Sequence, residues 1–314
     1  MSFSDKLADA IRAKGNPTVM GLDPKLAYIP PHIRNQAARV SRNAFQAAAE
    51  SIVAFNFALV DAVADIVPAV KPQLAYYELY GTEGLRAFEL TCRYAREKGM
   101  LVIADGKRND IGSTAEAYSG AFLGRTVLDG EGEVPVFDTD ALTVNGYLGA
   151  DGIEPFLQDC DRYGKGIFVL VKTSNPSSGQ LQDLKLADGR AVYEMMADLV
   201  TQWGEGRNGA CGYSSVGAVV GATWPRQLEE MRVRMPHAWI LVPGYGAQGG
   251  TAQDVAKAFD ADGLGAIVNA SRSLMCAWQK ADWKADHADT DFAAAARAEA
   301  IRMRDDIRAA LKRY

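Results

Sequence analysis

Short apolar runs alternate with longer stretches of helical spacing along almost the whole chain. The apolar runs are TVMGLD (18–23), PAVKPQ (68–73), MLVIADGK (100–107), ALTVN (141–145), GIFVLVKTS (166–174), VGAVVGAT (216–223), AWILVPG (238–244) and GAIVNAS (265–271). Most are bounded by turn residues and hold Val, Ile or Leu in continuous order, the pattern of strands buried on both faces of a parallel sheet. Between most of them the apolar positions recur at helical spacing. This predicts helices over 35–66, 77–98, 113–123, 152–163, 191–203, 225–234 and 251–259, with a last one over 291–313. Strand–helix alternation repeated eight times predicts an α/β fold of the (β/α)8 TIM-barrel type. No linker, low-complexity segment or residue-level repeat breaks the order, so residues 1–314 read as a single domain. The stretches 125–137 and 175–190 exceed ordinary connections and are polar and glycine-containing, which predicts surface insertions or a mobile lid.

Bulk composition narrows this picture. A length of 314 residues suits such a barrel with insertions, and 48% hydrophobic with 23% charged residues is ordinary for a globular protein. A net charge of −5 argues against a general nucleic-acid binder, so an anionic ligand would need a local positive patch. Cys92, Cys160, Cys211 and Cys276 are far apart, and His32, His237 and His287 are scattered, so no metal-site spacing exists and free thiols are expected. The N-terminal segment MSFSDKLADAIRAKG is amphipathic and contains acids, unlike a signal peptide. No continuous run of about 18 apolar residues occurs. The expectation is a cytoplasmic protein that engages neither membrane nor nucleic acid.

The C-terminal strand ends carry the chemistry in such barrels. Here those ends hold Asp23, Lys71, Asp105 with Lys107, Asn145, Lys172 with Ser174, Thr223 and Arg272, and the loop after the seventh strand adds Gln248. Lys172 and Thr223 read as ordinary loop starts. The segment DGKRNDIGST (105–114) is the most informative of the set. Strand side chains alternate, so Asp105 and Lys107 point the same way, with Asp110 just beyond. Buried charges are costly unless paired, which suits this run to chemistry, although an ion pair at a strand end is also consistent with it. The loop PGYGAQGGT (243–251) has four glycines that let a ligand approach the backbone, and the free N–H groups of a helix starting near Thr251 would face it. Arg272 ends the next strand, and a phosphate commonly binds between these two loops.

Together these segments resemble the orotidine 5′-phosphate decarboxylase family, and within it the longer bacterial branch. The resemblance rests on DGKRNDIGST, the upstream AVKPQLAYYE, the entry motif MGLDP, and PGYGAQGG followed by VNASR, spanning residues 20 to 272 in the expected order. It implies decarboxylation of orotidine 5′-phosphate to uridine 5′-phosphate, the last step of de novo pyrimidine synthesis, with no cofactor. It also implies a homodimer with composite sites. Carried over, Lys71, Asp105, Lys107 and Asp110 form a charged tetrad, and Asp110, Ile111 and Thr114 enter the partner's site. Asp23 meets the ribose, Ser174 the pyrimidine edge, Gln248 and Arg272 the phosphate, and Gln73 ribose or phosphate. Whether Thr173 or Ser174 contacts the base stays open, and the two long insertions receive no role. The chemistry leaves charge on a carbon with no neighbouring carbonyl, so stabilisation falls to fixed charges, with Lys107 as proton donor. Two other readings compete: a related barrel lyase acting on a keto-sugar acid phosphate with Mg2+, and a non-catalytic barrel that binds nucleotides.

Overall fold

The computed structural model describes residues 1–246 and 248–311. Its strands are β1 (Thr18–Leu22), β2 (Ala69–Pro72), β3 (Leu101–Arg108), β4 (Thr126–Leu128), β5 (Gly132–Val134), β6 (Ala141–Val144), β7 (Gly166–Lys172), β8 (Ser214–Val220), β9 (Ala238–Val242) and β10 (Ala266–Ala270). Eight of them close a parallel barrel in the order β1-β2-β3-β6-β7-β8-β9-β10, with β10 returning to β1. Each of the eight expected strands is present within a few residues. β4 and β5 form a separate antiparallel hairpin, which accounts for most of the 125–137 insertion.

The helices follow the expected order, with two breaks. The stretch 35–66 divides into Pro31–Val40 and Ala44–Val63, because Asn43 is extended and its side chain accepts from the Gln46 amide to cap a new helix. The stretch 77–98 divides into Ala75–Glu78 and Gly81–Glu97. The helix expected at 251–259 is only Ala252–Ala256. The last helix runs Phe292–Leu311; its expected end at 313 lies outside the described residues. By length and composition Ala44–Val63 could cross a membrane, but Ile52, Phe55, Leu59, Val60 and Val63 are fully buried in the protein core. All four cysteines are free.

The barrel interior is layered. At its base, Val19, Ala69, Ile103, Ala141, Phe168, Trp239 and Ile267 form an apolar cluster with Phe3, Leu7, Ala8 and Ile11 of the N-terminal helix Phe3–Lys14. That helix therefore plugs the N-terminal end of the barrel. Phe3 meets Phe168 edge-on with ring centroids 5.9 Å apart. Gly166 makes room for it, since a Cβ there would stand 2.3 Å from the Phe3 ring. Two residues further along several of these strands the same inward positions turn polar, and Lys71, Asp105, Thr143 and Asn269 stand above the apolar layer.

Phe3→Ala removes the centre of this plug. The expected loss is about 3–5 kcal/mol of unfolding free energy, measured as a lower urea midpoint. A loss below about 1 kcal/mol would mean that the base packs adequately without the helix.

Candidate active site

A cavity of about 620 Å³ opens among the C-terminal strand ends. Ala69, Lys71 and Gln73 alternate inward along β2, and Ile103, Asp105 and Lys107 along β3, so each strand leaves the apolar layer and enters the cavity with a charged residue. Asp105 is the centre. Its Oδ2 accepts from Lys71 Nζ at 2.5 Å and Gln73 Nε2 at 2.9 Å. Its Oδ1 accepts from Lys107 Nζ at 2.7 Å and Thr143 Oγ1 at 2.9 Å. Four donors saturate one carboxylate.

Burial is graded across this group. The side chains of Lys71 and Asp105 are 5% and 9% exposed, whereas Lys107 is 46% exposed and stands in the mouth. Burial alone would push the Asp105 carboxyl up, but the charges of Lys71 and Lys107 and their hydrogen bonds outweigh it and hold the carboxyl well below the usual carboxylate range. Burial would pull Lys71 down, but Asp105, with Asp23 beyond it, keeps it above its ordinary value. Both groups are therefore charged at neutral pH.

Asp23 lines the same cavity. Among the described residues Asp23 Oδ1 and Asn269 Oδ1 are buried polar atoms with no hydrogen-bond partner. Such atoms are costly unless a ligand or water addresses them. Gln248 and Arg272 lie on the wall formed by the loops after β9 and β10, with Gly244 in the left-handed region at φ 100°. The helix after this loop, Ala252–Ala256, is short and carries a capping box. Thr251 Oγ1 accepts from the Asp254 amide, and Asp254 Oδ2 accepts from the Thr251 amide, so these two of its first-turn amides are satisfied within the turn. Gly244, Gln248 and Arg272 line this part of the cavity.

Ser174 lines the cavity with Thr173 and Asn175. The Thr173 hydroxyl is committed, donating to Asn175 Oδ1 at 2.6 Å and accepting from Gln182 Nε2 at 2.9 Å. Thr223 Oγ1 donates to the Ser174 carbonyl, and Trp224 Nε1 to the Thr173 carbonyl. Gly221 is required beside them, because a Cβ would stand 2.8 Å from Ser174 Cα. Lys172 proves more than a loop start. A register shift between Leu170 and Lys172 in the β7–β8 ladder turns it out of the cavity. It is fully buried, pairs with Asp183 at 2.5 Å, and lies 4.8 Å from the Trp224 ring centroid. The 175–190 insertion is anchored through this pair.

Other positions differ from expectation. Asn145 does not face the cavity; its side chain accepts from the Tyr147 amide and caps the turn Gly146–Leu148. Asp110, Ile111 and Thr114 lie outside the cavity of their own chain, and Asp110 Oδ1 accepts from the Ile111 amide. Thus three of the four tetrad residues converge within one chain. Thr143, Asn269, Tyr28 and Tyr76 line the cavity without having been singled out. For Thr143 and Asn269 the signal was available: each is the last inward position of its strand. Among the described residues no group of three or more His, Cys, Asp or Glu side chains could hold a metal ion.

Asp105→Ala strands Lys71 in the barrel without its carboxylate, an expected cost of about 3–5 kcal/mol by urea unfolding at neutral pH. The folded carboxyl titrates below its unfolded value. Its contribution is therefore complete above the ordinary carboxylate pKa and is lost as pH falls toward the depressed folded value. Below about pH 4 the stability of Asp105→Asn is expected to fall less steeply than that of the parent. Equal slopes would mean that Asp105 is not held ionised.

Comparison with known proteins was consistent across sequence and structure. The model of the orotidine 5′-phosphate decarboxylase / HUMPS family matches residues 48–282. An orotidine 5′-phosphate decarboxylase of Rhodopirellula baltica is 45% identical over 308 residues, covering 98% of this chain and 99% of that protein. One from Caldicellulosiruptor saccharolyticus is 40% identical over 279 residues, covering 89% and 91%. The structure of Leishmania donovani OMP decarboxylase superposes with a TM-score of 0.72 at 31% identity, covering 99% of this chain and all of that one.

Proposed function

The chain belongs to the orotidine 5′-phosphate decarboxylase / HUMPS family, and from that premise we propose that it is a carboxy-lyase converting orotidine 5′-phosphate to uridine 5′-phosphate and carbon dioxide. This is the last step of de novo pyrimidine synthesis. The observation that carries the reading is the Lys71–Asp105–Lys107 array, with a buried ionised carboxylate between two ammonium groups at the cavity floor.

The reaction breaks the bond between the pyrimidine ring carbon and its carboxylate. Carbon dioxide leaves, the electron pair stays on the ring carbon, and a proton must replace the lost group. Lys107, the more exposed of the two lysines, attracts the developing carbanion and delivers that proton. Asp105 stands beside the substrate carboxylate, whose charge is lost as the reaction proceeds, so their repulsion is relieved in the transition state. Lys71 keeps Asp105 ionised against its burial. A carbanion without an electron sink places the demand toward the upper part of the range of about 8–23 kcal/mol by which enzymes lower barriers. No cofactor is invoked.

The remaining groups bind. Asp23 takes a ribose hydroxyl, which its unpartnered buried Oδ1 supports. Gln73, already donating to Asp105, lies at the ribose side of the array. Gln248 and Arg272 hold the phosphate. Ser174 meets the pyrimidine edge; the prior commitment of the Thr173 hydroxyl favours it over its neighbour. Binding energy from the phosphate, remote from the reacting carbon, positions the ring. Asp110, Ile111 and Thr114 act in the site of the partner subunit of a homodimer. The exposure of Ile111 and Thr114 supports this, as does the apolar surface nearby: Ile111 and Leu148 are 52% and 44% exposed, and Gly152 packs closely between Leu148 and the carbonyl of the half-buried Asp110.

The test is loss of orotate absorbance when purified protein meets orotidine 5′-phosphate in excess chelator. Rapid turnover is expected. No turnover by folded protein would sink the proposal and direct attention to sugar-phosphate acids with Mg2+. Lys107→Ala should lower kcat by several orders of magnitude without unfolding the protein; near-normal turnover would remove Lys107 as proton donor. For Arg272→Ala a strong rise in KM is expected, and an unchanged KM would move the phosphate elsewhere.

A further inference from the structure

The β3–β6 ladder loses its regular register where Asp105 and Lys107 stand. Ile103 pairs with Ala141 and Ala104 with Leu142, after which the register shifts and Arg108 pairs with Val144. Asp105, Gly106 and Lys107 of β3 thus stand against the single residue Thr143 of β6. Within this bulge Lys107 adopts φ 47°, in the left-handed region. A lysine has no glycine-like freedom there, and a side chain held so must be fixed by its surroundings.

The fixing group is the Thr143 hydroxyl. The Lys107 amide, displaced from the regular ladder, donates to Thr143 Oγ1 at 3.0 Å, and that hydroxyl donates its one proton to Asp105 Oδ1 at 2.9 Å. Lys107 Nζ donates to the same carboxylate oxygen at 2.7 Å. Main chain, hydroxyl, carboxylate and ammonium form a closed ring. Thr143 is 1% exposed, so water does not readily replace it. The hydroxyl acts on both charged residues at once, through the backbone of one and the carboxylate of the other.

We infer that Thr143 is a positioning residue for the decarboxylation: it holds Lys107 in its left-handed conformation and aims the ammonium at the reacting carbon. The inference rests on the proposed role of Lys107. Without the hydroxyl the Lys107 amide loses its acceptor, the bulge relaxes toward regular strand, and the ammonium moves from its place over Asp105. Misplacement of a proton donor by a fraction of a bond length reduces the chemical step far more than ground-state binding.

Thr143→Val keeps the shape and removes the hydroxyl; Thr143→Ser keeps the hydroxyl. In Thr143→Val kcat is expected to fall about 10- to 100-fold, with KM and the dissociation constant for uridine 5′-phosphate changing less than about threefold. Thr143→Ser should recover most of the lost kcat. A kcat within about twofold of the parent, a parallel loss of product affinity, or no recovery with serine would overturn the inference. If Thr143→Val does not fold, Thr143→Ala is read in the same way. A crystal structure of the folded variant gives an arm independent of turnover. Lys107 should leave the left-handed region and its ammonium should part from Asp105. An unmoved Lys107 would refute the positioning role even if the parent decarboxylated nothing.

Discussion

A lysine buried inside a barrel stays charged only beside a carboxylate that is itself held ionised. Lys71 and Asp105, 2.5 Å apart, meet that condition for each other, and much of the cavity's construction follows from it. Neither group could occupy its site alone. Lys107, Gln73 and Thr143 complete the coordination of the carboxylate, so that a charge removed from water finds four donors in exchange. A carboxylate bound so tightly cannot serve as a base. It is a fixed negative charge at the cavity floor.

The rest of the barrel keeps that charge array where it is. Below it lies a dry apolar layer sealed by the N-terminal helix, so the charges have water on one side only. To one side, β7 ends in Lys172, buried against Trp224 and tied to Asp183, and this pair fastens the 175–190 insertion to the barrel wall. Gln182, next to Asp183, bonds the amide and hydroxyl of Thr173, so the segment holding Ser174 is framed from both the loop after β8 and the insertion. At its base, this insertion is a buttress. Beyond β8, the loops after β9 and β10 continue the cavity wall with Gly244, Gln248 and Arg272.

Much of this was legible in the chain itself. Eight apolar runs separated by helical patterns specify a closed parallel sheet, because a strand covered on both faces must be apolar along its length. The pairing of Asp105 with Lys107 follows from alternation within one strand. So does the inward aim of Lys71 and Gln73. These are local consequences of backbone geometry, and they need no knowledge of what lies across the barrel.

Only the tertiary structure decided how strands meet. Lys71 and Asp105 are 34 positions apart, and Thr143 lies 38 from Asp105; the barrel's register brings them together. Two register shifts then altered the regular ladder. One turned Lys172 outward into an aromatic pocket, and the other placed Lys107 in a left-handed conformation opposite Thr143. A cap drew Asn145 away from the cavity, and a capping box formed at the start of the helix beyond the glycine loop. Alternation is a property of one strand and can be read from its residues. Bulges, caps and cross-strand partners depend on two or more segments at once, and they take form only when the sheet closes.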